Sequence, residues 1–291
     1  MKTSTVYVLV MFSALFWGSN FVLAGTVMSD VRPLWAAVFR FVIGAAVMIA
    51  LVAWRREDMA GPARRHAGVY VMLGATGIGV FNLLFFFALQ HTSPANASLI
   101  MATNPLLTTA LAAVTLGERV NLRQLAALPL ALLGVVIVIS GGDVHRLAAL
   151  HVARGDLLMI AANLSWALYN VLGRRYMPAG SPLVNTTLMM IAGALLLLLV
   201  AAGSGEPLSV PGMKAGMALV AMSLGGTVLA YLFWTTGIAR LGAGRTSMFL
   251  NMVPVFAMLI EVLDGTMPTG AQLAGGLGDE LFGPVAEPRV P

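Results

Sequence analysis

The chain has 291 residues, of which 59% are hydrophobic and only 10% charged, with a formal net charge of +5. A soluble domain carries about 25% charge, and no soluble core of this length hides so much apolar surface, so lipid is the solvent for most of the chain. Cysteine is absent, which excludes disulfides, thiolate metal sites and a cysteine nucleophile.

The first apolar run, Val6 to Met28, follows Met1-Lys2. It is longer than a signal core of about 7–15 residues and no small-residue cleavage pattern closes it, so it reads as a retained first span. Within hydrocarbon every backbone amide needs an internal partner, and long continuous apolar runs satisfy this as helices, where barrel strands would alternate. The predicted spans cover about 6–28, 33–54, 68–90, 95–116, 121–140, 156–173, 183–202, 213–237 and 244–264, with a tenth beginning near Thr269. The fold class expected is all-α integral membrane.

The fourth and ninth spans are alike, and placing Pro105 on Pro254 sets an offset of 149 residues. The same offset places Ser98 on Ser247, Trp17 on Trp166, Pro33 on Pro182, Gly44 on Gly193 and Gly77 on Gly226, which reads as an internal duplication. With the N-terminus in the cytoplasm, the inner connections hold Lys2, Arg55, Arg56, Arg64, Arg65, Arg119, Arg123, Arg174, Arg175, Arg240 and Arg245, against Arg32, Arg146, Arg154 and Lys214 outside, as the positive-inside rule requires. Five spans per half is an odd number, so the halves are expected as inverted five-helix repeats, the design on which secondary transporters rock about a central site. The expected division is residues 1–142 for the first repeat, 143–155 for an outer connecting loop and 156–277 for the second repeat. Residues 278–291, with their prolines and acids, are an atypical tail, either a truncated tenth helix or a scar foreign to the fold.

Phe16-Trp17-Gly18-Ser19-Asn20-Phe21 in the first span, Pro33 with Arg40 in the second, and Ala95 to Pro105 followed by Leu116-Gly117-Glu118 resemble the drug/metabolite transporter superfamily, in particular its ten-helix EamA-type exporters. Within that group the chain is most similar to the bacterial aromatic amino-acid exporters. The resemblance runs from the first span to Leu277. It implies a bacterial inner-membrane carrier whose helices 1–4 and 6–9 surround a central cavity, with the fifth and tenth peripheral. The second half departs from the family pattern, since Leu-Gly-Glu becomes Asp264-Gly265-Thr266 and the tenth helix is incomplete or altered.

Polar and aromatic residues fall on defined helical faces. Trp17 and Asn20 share one, Trp166 and Asn170 another with Tyr169 beside them, and Tyr231 and Trp234 a third. Asn82 stands where the repeat places Tyr231, and Asn251 lies on the face of Ser247 and Pro254. Amides in lipid are costly unless paired, so these faces turn inward, either as glue between helices or as the wall of a substrate cavity. Arg40 and Glu261 are ionisable residues well inside spans; they form an outer gate or a structural pair, or snorkel separately, and Glu261 is also a candidate proton carrier. Pro105 and Pro254 kink their helices, as hinges or as static bends. Gly74, Gly77 and Gly79 lack the strand and Lys-Ser/Thr of a phosphate loop and suit close helix packing.

The function expected is export of a small amphipathic metabolite, with aromatic amino acids foremost, by alternating access through a central cavity. A solute and the bilayer are the partners implied, with no cofactor, metal or nucleic acid, and a monomer is compatible. The alternative is an integral-membrane enzyme acting on lipid, or a non-transporting membrane protein. An enzyme would need paired carboxylates, a histidine cluster or a metal set, whereas His66, His91, His145 and His151 are scattered.

Overall fold

Proline is tolerated in the first turn of a helix, where its missing N–H has no partner to lose, and Pro33, Pro105 and Pro182 each open one. The computed structural model describes residues 2–92, 97, 100, 101, 103–117 and 154–263, with the backbone alone for Pro254, Met258, Glu261 and Leu263. The regular elements among these residues are all helices, joined by short connections and by the irregular segment 205–212. α1 spans Thr3–Met28, α2 Pro33–Trp54, α4 Asn104–Leu116, α5 Arg154–Tyr176 and α6 Pro182–Ser204. α3 runs from Ala60–Gly74 through a π-helical segment Ala75–Val80 to Phe81–Ala88. α7 runs from Met213–Ala221 through a second π-helical segment, Met222–Leu229, to Ala230–Leu241. α8 joins Ala243–Ser247, a 3-10 turn Met248–Asn251 and Met252–Leu263. The expected fifth and tenth spans, residues 143–153 of the connecting loop and the tail 278–291 lie outside the described residues, while Arg154 and Gly155, expected in that loop, open α5.

Five of these helices, α1, α2, α3, α6 and α7, are long and apolar enough to cross a membrane. Leu195 and Leu199 on α6, Met217 on α7 and Leu259 on α8 are exposed, while Ser13, Asn20, Arg40, Asn82, Asn104 and Asn170 are buried. An apolar outside around a polar inside is the arrangement lipid demands.

Two details refine the expected spans. A short basic helix from Ala60, around Arg64 and Arg65, leads into the third span across a dihedral break at His66 (φ −128, ψ 24), and the span expected from residue 68 follows that break. Beside Pro105 the helix is interrupted by a turn at Thr103, which keeps a helical backbone (φ −80, ψ −6), and α4 begins at Asn104. In α8 a 3-10 turn precedes the segment that holds Pro254 in its first turn.

Inter-helix contacts fix the topology. α1 and α7 run antiparallel, with Asp30 against Gly212, Trp17 against Gly226 and Ser13 against Ala230. α3 and α6 run parallel, with Tyr70 against Asn185, Gly74 against Met189 and Gly79 against Leu196. α5 runs antiparallel to α3, with Asp156 against Thr92 and Ser165 against Thr76. The end of α1, the start of α2 and the end of α6 meet where Trp35 donates to the Glu206 carbonyl. It follows that α3 ends at that same end, α5 leaves from it, and α1 arrives at it. The equivalent helices α1 and α5 therefore point in opposite directions, and the repeats are inverted.

Contacts between the halves are isologous. Gly44 packs on Thr227, and at the offset of 149 Gly193 packs on Ile78. Gly77 packs on Tyr169, and Gly226 on Asn20. Exchange of both partners under one shift is what a two-fold axis produces. The glycines at α3 and α6 are a packing requirement: a Cβ on Gly74 would strike the Met189 carbonyl and lie 2.7 Å from the Gly193 amide nitrogen. Gly74→Ala should therefore destabilise the bundle by about 1–3 kcal/mol through overpacking, read as a lower melting temperature in detergent. Gly203→Ala, with nothing within 4 Å, should leave it unchanged.

Candidate functional site

The two-fold axis passes between Trp17 of α1 and Trp166 of α5, which are equivalent residues and touch edge to face at 5.1 Å between ring centroids. Trp234 packs on Trp17 at 4.8 Å, Tyr231 on Trp17 at 5.9 Å and Phe81 on Trp166 at 5.0 Å. Each such pair contributes about 0.5–1.5 kcal/mol beyond the area it buries, so the cluster holds α1, α3, α5 and α7 together at mid-bundle. Trp17, Asn20, Arg40, Trp166 and Tyr231 surround a cavity with about 30 Å3 of room for water, enough for about two molecules.

The two π-helical segments occupy equivalent places in α3 and α7. A π-turn displaces a carbonyl from the regular ladder and often marks a functional site. Gly77 O accepts from Tyr231 Oη at 2.7 Å. Gly226 O accepts from Trp17 Nε1 at 2.9 Å and from Arg40 Nη2 at 3.2 Å. Arg40 also donates through Nε to Thr227 Oγ1 at 2.9 Å and through Nη1 to Asn82 Oδ1 at 3.3 Å. These three described partners are neutral. Symmetry predicts Asn82, the equivalent of Tyr231, at the Gly226 carbonyl; Arg40 bridges the two instead. The equivalent of Arg40 in the second half is Met189, so the described cavity carries its cation on one side.

Polar atoms at the cavity divide into two sets. Among the described residues, both amide atoms of Asn20, the Trp166 indole N–H and the Tyr169 hydroxyl are buried without a hydrogen-bond partner. Buried polar groups are almost always bonded, and exceptions call for an explanation such as a ligand. Asn170 belongs to the second set. Its Oδ1 accepts from Trp234 Nε1 at 2.8 Å, and its Nδ2 donates to Asn104 Oδ1 at 3.3 Å. Asn104 in turn donates to Asn163 Oδ1 at 2.6 Å and accepts from Thr108 at 2.8 Å. This network ties α4, α5 and α7 together, which is the glue reading of the asparagine stripe.

Of the residues singled out in the sequence, the structure brings Trp17, Asn20, Arg40, Trp166 and Tyr231 to the cavity. Trp234 and Asn82 stand directly behind that wall. Tyr169 packs on Trp166 at 4.9 Å and also borders a second cavity of about 260 Å3 that opens between Arg174, Pro178 and Ala239. Asn251 is exposed on the 3-10 turn, while its neighbours Leu250 and Val253 line the cavity. The Glu261 side chain lies outside the described residues. Thr227 shares the inward face of Tyr231 and Trp234, and Gly77 and Gly226 are equivalent landmarks of the repeat, but their part as hydrogen-bond partners has no signature in sequence, because backbone carbonyls and a hydroxyl carry no charge.

A profile of the EamA-like transporter family matches residues 4–140 and 153–278. The chain is 37% identical over 279 residues to an uncharacterized transporter, YyaM, of Bacillus subtilis, covering 95% of this chain and 92% of that protein. It is 30% identical to a probable amino-acid metabolite efflux pump of Escherichia coli, covering 95% and 94%. It is 27% identical to the aromatic amino acid exporter YddG of Ancylobacter novellus, covering 90% of each chain. One solved crystal structure superposes with a TM-score of 0.69 at 25% identity, over 95% of this chain and 94% of the other. The chain belongs to the EamA-like transporter family and is a multi-pass membrane transporter.

The two polar sets make opposite predictions for stability. Asn20→Leu removes an unpartnered amide of similar shape and should leave the melting temperature unchanged or raise it. Asn104→Leu strands its buried partners and should cost about 1–3 kcal/mol. Thermal unfolding of both variants in the same detergent checks the order, and a reversed order would contradict the division.

Proposed function

We propose that this member of the EamA-like transporter family exports small amphipathic metabolites, aromatic amino acids foremost, across the bacterial inner membrane by alternating access. The observation that carries this reading is the aromatic cavity on the axis between the halves, ringed by buried polar atoms whose described surroundings offer no partner. Rings stack on rings, and a zwitterion supplies acceptors for the Trp166 N–H and donors for Asn20 Oδ1, so both needs are met by one solute. Its amino-acid exporting relatives support the same substrate class.

The cavity is too small for such a solute in this conformation, since ligand pockets typically hold about 300–1,000 Å3. The conformation therefore reads as a collapsed state, in which the aromatic side chains fill the place the solute takes. The halves meet at glycines and rings, contacts that can re-seat by small rotations. Pro105 and Pro254, each beside a break in its helix, serve as hinges for α4 and α8. Tyr169 stands between the central cavity and the second one near Arg174, and it acts as the door between them. With the N-terminus in the cytoplasm, as the Lys and Arg placement supports, the second cavity opens inward. Trp17, Asn20, Trp166 and Tyr231 contact the solute, with Asn82, Asn170 and Trp234 holding that wall; Arg40 lines the same cavity from α2, Glu261 follows on α8 toward the outer side, and Asn251 contributes once α8 moves.

Proteoliposomes preloaded with phenylalanine should show saturable counterflow of labelled phenylalanine, and Trp166→Ala should lower it by about two- to tenfold, the equivalent of one lost aromatic contact. Wild-type protein that moves no aromatic amino acid would overturn the reading.

A further inference from the structure

Given the carrier reading above, we infer that Arg40 is the anion-recognising residue of the central cavity, so that the solute must present a carboxylate. Arg40 is 4% exposed and lines the cavity. A cation at this depth in a bundle is expensive and marks function unless something offsets it. Its described partners, Thr227 Oγ1, Asn82 Oδ1 and Gly226 O, are neutral acceptors that aim the guanidinium without cancelling its charge. They take one hydrogen from each nitrogen, and a guanidinium has five, so two N–H groups have no acceptor among the described residues. A planar fork with hydrogens to spare matches a carboxylate, which it holds by charge-assisted bonds.

Pseudo-symmetry sharpens the inference. The second half places Met189 where the first places Arg40, and Tyr169 where it places Asn20. A purely structural tie at the Gly226 carbonyl needs no charge, since the equivalent Gly77 carbonyl is held by the neutral hydroxyl of Tyr231. The charge is thus extra to the structural task. Set on one side of an otherwise aromatic cavity, it orients the solute: carboxylate toward α2, ring between Trp17 and Trp166, ammonium toward Asn20 Oδ1 and the ring faces, where cation–π attraction adds to the fit.

The test needs binding alone, so it stands apart from transport. Quenching of the protein's own tryptophan fluorescence and thermal shift are read with phenylalanine, 3-phenylpropionate, which lacks the ammonium, and phenethylamine, which lacks the carboxylate. Wild-type protein should bind both carboxylates and bind phenethylamine about a hundredfold more weakly, because a site built for a hydrogen-bonding group rejects the analogue without it. Arg40→Gln should erase that preference, and Arg40→Lys, which keeps charge but loses the fork, should keep part of it. Phenethylamine binding as well as phenylalanine to the wild type would overturn the assignment, whatever the variants do. Retained preference in a folded Arg40→Gln protein, or no binding by any of the three, would overturn it too. Carboxylate binding without counterflow would uphold it and sink the carrier reading instead.

Discussion

One backbone carbonyl, Gly226 O, gathers two donors from the first half of the protein at the cavity. It accepts from the Trp17 indole and from the Arg40 guanidinium together, and it is free to do so because the π-helical segment of α7 opens the helical ladder at that point. The missing side chain matters as much as the carbonyl: a Cβ on Gly226 would overlap Asn20. One residue thereby places an indole, a cation and an amide around one small space. In hydrocarbon, where an unsatisfied carbonyl costs several kcal/mol, such an acceptor must find donors, and the donors it finds are the cavity wall.

The duplication explains why the site lies where it does. An isologous contact puts equivalent residues face to face on the axis, and Trp17 meets Trp166 there. Perfect symmetry would give a cavity with two identical ends and no preferred orientation for a solute. The chain departs from symmetry at the wall itself, with Arg40 against Met189, Asn20 against Tyr169 and Asn82 against Tyr231, and keeps it in the glycine contacts that let the halves approach. Under the carrier proposal, the shared scaffold carries movement and the differing residues carry recognition.

Much of this was legible in the sequence. Hydropathy placed the helices, because lipid permits few alternatives to a long apolar helix, and the constant offset predicted that Trp17 and Trp166 occupy matching places. Inward stripes followed from helical spacing, yet spacing does not say which amides are used up by neighbours: Asn170 and Asn20 look alike in sequence, and only packing separates the bonded one from the unpartnered one. The π-helical segments leave no hydropathy signal, so the Gly77 and Gly226 carbonyls could not be foreseen. Asn251 fell off its predicted face because a 3-10 turn advances three residues per turn instead of 3.6, which rotates it outward from Ser247. Arg40 is held by a hydroxyl and a carbonyl, neutral partners that no pattern of opposite charges in the sequence reveals.

Alternating access requires the two inverted halves to open the axial cavity to one side of the membrane while closing it to the other. The absence of native cysteine permits spin labels at chosen sites only. Ser29→Cys with Leu208→Cys reports on the end where α1 finishes and α7 begins, and Trp54→Cys with Tyr176→Cys on the opposite end; all four residues are exposed. Distances from pulsed electron resonance in lipid, with and without saturating phenylalanine, should move in opposite senses for the two pairs. Both pairs unmoved, or both widening together, would contradict alternating access about this axis.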